Sequence, residues 1–319
     1  MNRSVVERIL PEMDAVVPRN FAWEVVGDGF TWLEGPVWRP GTQDLLFSDI
    51  PENRIHRFEP KTRTLTVFMK SSGYTGSKPF EGREPGSNGL TLDGHGRLLI
   101  CQHGDRRLVR REANGELTVI ADAYQGQRLN SPNDVIVSSE GEILFTDPPF
   151  GLPDTFEDAH KELEFQGVYS VRAGSEPTLL IEDLRAPNGI ALGPDEKTLY
   201  ITDVDPARPG WWRFPRRADG TLGRGELWME ARPFMKDRPG GPDGIEVDDQ
   251  GRVFGAGPGG IYVFDAEGRH LGTLLTGEPT GNLEWGDDGR TLYVTANHQL
   301  LRGRFVTGRA PPASIGKRP

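Results

Sequence analysis

One pattern recurs six times along the chain, and it limits the fold more than any other feature. "EGPVWRPGTQDLLFSD" begins at Glu34, "NGLTLDGHGRLLICQHG" at Asn88 and "NDVIVSSEGEILFTD" at Asn133. "NGIALGPDEKTLYITD" begins at Asn188, "DGIEVDDQGRVFGAG" at Asp243 and "NLEWGDDGRTLYVTA" at Asn282. Each copy has a polar head residue, a short apolar run, a turn rich in Asp and Gly, and a second apolar run. The heads are 54, 45, 55, 55 and 39 residues apart. A unit of this size cannot bury its apolar face alone, so the copies must stack on one another.

A third and a fourth run follow each pair, for example "RIHRFEP" and "LTVFMKS" after the first and "GIYVFDA" and "HLGTLLT" after the fifth. They alternate apolar and polar residues, as half-buried antiparallel strands do. Six units of about four antiparallel strands predict an all-β fold, a six-bladed β-propeller. The sixth unit is one strand short: "LLRGRFV" is its third, and residues 307–319 trail off as a C-terminal tail. "FAWEVVG" at 21–27 supplies the missing outer strand, so the N-terminal strand completes the last blade and closes the ring. Closure matters because an open ring leaves unpaired strand edges. Residues 1–20 are then an N-terminal extension, and 21–306 form a single propeller domain.

In this arrangement each head begins the innermost strand of its blade, and all six heads lie at one end of the channel. The long insertions at 71–86, 148–166, 204–212 and 232–242 fall on that same face, whereas turns such as "DGHG" and "GDDG" fall on the other. Function is expected on the decorated face.

The formal net charge of -10 carries no basic footprint for nucleic acid. The single cysteine, Cys101, excludes a disulfide within the chain and a Cys-rich metal cage. It reads as a buried strand residue. No apolar stretch is long enough to span a bilayer, and Glu7, Glu12 and Asp14 interrupt the N-terminus as a leader. A cytoplasmic protein without membrane or nucleic-acid partners is expected. Oligomeric state leaves no trace in the sequence.

Taken singly, Asn-Gly and Asp-Gly are ordinary turn dipeptides. Glu34 is not a turn former, and that separates the set from simple strand entry. Glu34 and Asp243, with the amide oxygens of Asn133 and Asn188, are expected to converge on the axis. Two carboxylates so placed repel unless a cation joins them. Oxygen-only ligands suit Ca²⁺ or Mg²⁺; Mn²⁺ also fits, and Zn²⁺ tolerates carboxylates. One divalent metal ion is expected, with Ca²⁺ placed first. No G-x-S-x-G elbow offers a serine nucleophile, and Ser131 reads as loop packing. Residues ending the second strands also face the pocket: His103, Asp147, Asp203, Asn297 and His298. His103 could donate to a substrate oxygen, Arg128 could reach the pocket, and Asn88 and Asn282 could orient substrate.

The motifs "LEGPVW", "SPNDV", "FTDPPFG", "APNGIAL" and "GPDGIEVD" resemble the gluconolactonase and senescence marker protein (regucalcin)-like family, over about residues 30–300. The resemblance implies a six-bladed propeller with one divalent metal in the channel and lactone hydrolysis as its activity. It implies Glu34, Asn188 and Asp243 as metal ligands, with Asp243 also the general base. Asn133 would be a ligand or a contact through water and substrate. The expected function is a metal-dependent lactonase opening a sugar lactone such as glucono-1,5-lactone, by attack of activated water. The alternatives are a non-catalytic propeller that binds a ligand or protein, or a hydrolase of phosphotriesters or non-sugar lactones.

Overall fold

The computed structural model describes residues 5–172 and 174–310. Besides one two-stranded hairpin, the described residues form six larger antiparallel sheets in sequence order, with neighbouring strands consecutive in the chain except where the two N-terminal strands join the last two sheets. The innermost strands are Leu33–Arg39, Ser87–Leu92, Val135–Val137, Pro187–Leu192, Ile245–Val247 and Thr280–Gly286. This is the six-bladed propeller expected from the repeats. Blade six consists of Thr280–Gly286, Thr291–Ala296 and Gln299–Arg304, with Glu24–Gly27 as its outer strand. Glu24 pairs with Arg302 and Val25 with Leu301, so the N-terminal strand closes the ring as expected.

The sequence did not announce a second N-terminal strand. Val6–Arg8 pairs with Leu274, Thr273 and Gly272 and adds a fifth strand to blade five. Three residues are too few to show a period. Behind that strand, Met13, Val16 and Val17 are fully buried against Leu271, Leu274, Trp285 and Phe305. Residues 6–17 thus strap blade five to blade six. Residues 311–319, most of the expected tail, lie outside the described residues.

The core lies between neighbouring blades, because each sheet has two apolar faces. Leu45, Phe47 and Phe58 of blade one pack with Tyr293 and Leu300 of blade six. Leu99, Cys101 and Leu108 of blade two pack with Val135, Phe145 and Tyr169 of blade three. Each such side chain, fully buried, contributes about 1.5–3 kcal/mol. Among the described residues no helix is long and apolar enough to cross a membrane.

Around the axis the blades are joined by backbone. Ser48 Oγ donates to the Asn88 carbonyl at 2.8 Å, Thr146 Oγ1 to Asn188 at 2.6 Å and Thr202 Oγ1 to Asp243 at 2.5 Å. Gly89 N–H donates to the Asn133 carbonyl at 2.7 Å. The second strand of one blade therefore grips the head of the next. The glycine after the head makes this approach possible. A Cβ on Gly189 would stand 2.3 Å from the Asp243 carbonyl oxygen.

Gly189→Ala should therefore cost about 1–3 kcal/mol by overpacking against backbone that cannot yield. Gly94→Ala, on the plain face with nothing within 4 Å, should leave the melting temperature unchanged. Thermal melts of the two variants check this.

Candidate functional site at the channel mouth

The ladder gains one extra residue at the head of the inner strand in four blades. The irregularities fall between Glu34 and Val37, Ser87 and Leu90, Pro187 and Ile190, and Thr280 and Asn282. Such bulges re-aim a side chain. The preceding loop is clamped from the second strand. Asp49 accepts from Thr31 and Trp32 N–H, Asp147 from Asn130 and Ser131, and Asp203 from Ala186 and Asp205. The carboxylates at the ends of these second strands thus cap loops. Burial pushes Asp147 up to about 7, with the two amide hydrogen bonds opposing.

Glu34, Asn88, Asn133 and Asn188 are buried at the mouth. Asn188 bonds Asp243, and the charge of Glu34 acts on Asp243. The register corrects one expectation. Leu283 faces Val294 as Ile190 faces Ile201, so Gly281 holds the head position of blade six and Asn282 stands one step deeper. The substitution has a use: a Cβ on Gly281 would lie 2.4 Å from Glu34 Oε1. Blade six gives up its side chain to make room for the longer carboxylate of blade one.

The deeper position is glycine in four blades (Gly35, Gly89, Gly189 and Gly244). In blade three it is Asp134 and in blade six Asn282. These two blades face each other across the ring, and the Asn282 amide favours the charged form of both Asp134 and Glu34. Asp134 takes the Val135 and Ile190 N–H groups at 2.9 and 3.3 Å, and burial pushes it up to about 7. Asp134 and Asn282 thus occupy the level just below the heads. Asp134 was missed from the sequence, although it is the Asp that interrupts a row of glycines.

The acidic pair is held above its ordinary range. Burial raises Glu34 most, and the charges of Asp134 and Glu84 add to this. Burial also raises Asp243 most, followed by Glu34, Asp134 and Glu84. Farther down the channel Glu246 and Glu284 form a second acidic pair, where Arg309 reaches Glu246 at 3.0 Å. That pair has a guanidinium; the groups acting most on the mouth pair are carboxylates and amides. Asn88 Oδ1 is buried and has no partner among the described residues. Among the described residues no three His, Cys, Asp or Glu side chains gather as a metal cluster. The donor set is instead two carboxylates with amide oxygens. It fits a hard divalent cation in charge and in ligand type.

The expected substrate contacts divide. His103 is fully buried, with Nδ1 2.9 Å from Glu84 Oε2. Arg128 is not gathered with the heads: it sits exposed on the hairpin Ala123–Tyr124/Gln127–Arg128, which lifts it outward to the Asp105 carbonyl at 3.1 Å. Arg106 is buried instead and donates to the carbonyls of Leu129, Asn130 and His160. Asn297 bonds Glu278, and His298 stands 3.6 Å from Asp28. Ser131 Oγ donates to Pro148 O and accepts from Gly151 N, a loop-packing role. In the insertion at 148–166, Thr155–Glu157 makes a single 3₁₀ turn.

A profile of the family described as "SMP-30/Gluconolactonase/LRE-like region" matches residues 32–298. The chain belongs to this family. A gluconolactonase of Zymomonas mobilis is 35% identical over 316 residues, 96% of this chain and 88% of that protein. The solved structure of a gluconolactonase from Xanthomonas campestris superposes with a TM-score of 0.82 at 30% identity, covering 95% of this chain and 96% of that one. The calcium-binding protein regucalcin from Agrobacterium tumefaciens shares the fold, with a TM-score of 0.71 at 23% identity over 91% of this chain and 96% of its own. The family suggested by the sequence motifs is therefore the family found.

In this family member the raised carboxyls tie stability to pH. The folded state keeps protons on them that the unfolded chain has lost, so stability falls as pH rises from the ordinary carboxylate range toward about 8 for Glu34. Chelated protein should melt at a lower temperature at pH 8 than at pH 5. Added Ca²⁺ should raise the melting temperature more at pH 8, where the ligands release protons readily. Melting curves at both pH values, with and without chelator, check this.

Proposed function

We propose that the chain opens a sugar lactone, of the glucono-1,5-lactone type, with one divalent cation held at the channel mouth. The observation that carries this reading is the carboxylate pair of buried Glu34 and half-buried Asp243, set among amide side chains with no guanidinium beside it among the described residues. The likeness to the Zymomonas gluconolactonase supports the substrate class. Glu34, Asn188 and Asp243 would hold the cation, with Asn133 as a further ligand or a contact to substrate, and Ca²⁺ is the ion that the donor set favours. When bound, such an ion supplies Lewis-acid polarisation of the lactone carbonyl and charge to balance the oxyanion.

The chain's own residues do the rest. Asp243, ionised, takes a proton from the attacking water. Its carbonyl is fixed by Thr202, and the Asn188 amide favours its charged form. Asn88, with its free Oδ1, orients a substrate hydroxyl. Asn282 holds Glu34 in place from below. The walls of the channel limit water to the decorated side. A reducing, cytoplasmic setting belongs to the same reading and rests on the single, buried cysteine.

Asp243→Asn should lower kcat on glucono-1,5-lactone by about 10²–10⁴-fold, the usual worth of a general base. Glu34→Gln should weaken cation binding and make activity depend on added metal. Proton release assays with and without chelator read both effects. Full activity in either variant, or in chelated wild-type protein, would refute the assignment.

A further inference from the structure

The insertion at 71–86 links the outer strand of blade one to the inner strand of blade two. Its ends are locked together. Gly73 N–H donates to Asn53 Oδ1 at 2.8 Å, Gly86 N–H to the Ile50 carbonyl at 2.9 Å, and His103 N–H to the Gly86 carbonyl at 3.1 Å. A Cβ on Gly73 would lie 2.0 Å from the Gly86 carbonyl, so the two ends cross at a distance that only glycine permits. Glu84 stands two residues from this crossing, on a rigid base.

Its carboxylate is aimed from below. A carboxylate only accepts, so His103 Nδ1–H is the donor in the 2.9 Å contact. His103 is fully buried and its Nε2 has no partner among the described residues, which leaves the Glu84 bond as the one that orients the ring. Glu84 itself is 32% exposed. It lies four residues before the blade-two head Asn88, on the face that carries the long insertions.

We propose that Glu84 is a specificity-determining residue that accepts hydrogen bonds from the ring hydroxyls of the substrate, with His103 as its positioning residue. This rests on the lactonase reading above. A carboxylate held on a fixed loop and part exposed accepts from donors that reach it, and a polyhydroxylated lactone brings donors that a bare lactone lacks. A site built to bond a substrate hydroxyl rejects the analogue without it by as much as about 10⁴–10⁵-fold.

The test compares wild type, Glu84→Gln and His103→Asn on glucono-1,5-lactone and δ-valerolactone. It also titrates the non-hydrolysed gluconolactam and valerolactam by calorimetry. The ratio of the two kcat/KM values should fall about 10²-fold or more in Glu84→Gln, and by a smaller factor in His103→Asn. A residue that only held the loop would lower both substrates together. An unchanged ratio in Glu84→Gln would overturn the proposal. Wild-type protein that turns over neither lactone would refute the lactonase reading instead. The lactams still decide then: gluconolactam binding at least about tenfold weaker in Glu84→Gln, beyond any change for valerolactam, supports Glu84, and equal weakening or none overturns it.

Discussion

The structure depends on the close contact between each inner-strand head and the blade before it. A hydroxyl or N–H from one blade reaches the head carbonyl of the next, across a glycine that leaves no room for a side chain. Apolar packing between sheets is stronger in sum but has no direction. It would tolerate blades that slide. The hydroxyl contacts have lengths and angles, and they set the height of each head along the axis. Cys101 and Ala256 stand where Ser48, Thr146, Thr202 and Thr295 stand in the other blades, so the grip varies around the ring. In blades two and five the backbone makes the contact instead, with Gly89 N–H donating to the Asn133 carbonyl and Gly244 N–H to the Gly281 carbonyl, each at 2.7 Å.

A ring built in this way can hold chemistry that a flexible site could not. Two carboxylates close together and out of water are unfavourable. Here each is set by its own strand, Glu34 accepting from Gly35 N–H at 3.1 Å and the Asp243 carbonyl accepting from Thr202 at 2.5 Å, and an amide favours the charged form of each. The repulsion between them is left for a proton or a cation to settle. The lower channel shows the other solution. There Glu246 and Glu284 have Arg309 beside them, brought by the segment after blade six. The same channel thus has one acidic pair with an internal cation and one without, and the second lies on the face with the long loops.

Those loops are tied down rather than hung over the mouth. Arg106 holds the segments at 129–130 and 160 through their carbonyls, and Gly151 packs against the Cβ atoms of His103 and Ser131. Phe156 lies against Phe150 and under the Arg185 guanidinium. Trp211, beside another insertion, is fully buried between Tyr262 and Phe264 and serves the core. The decorated face is a second layer packed on the ring.

The sequence by itself determined the number of blades, their order, the strand that closes the ring and the end of the channel where Glu34, Asn188 and Asp243 lie. These follow from period-two alternation and repeated turns, which are local and recur in each copy. Contacts between copies decided the rest. Asn282 moved one step inward because Gly281 must make room for Glu34, and Asp134 acquired a partner because blades three and six face each other; neither relation exists within a single repeat. Glu84 and Arg128 lie in segments without a counterpart in the other blades, so no period could place them. A strand of three residues at the N-terminus is too short to carry a pattern, and only the open edge of blade five gave it a structure.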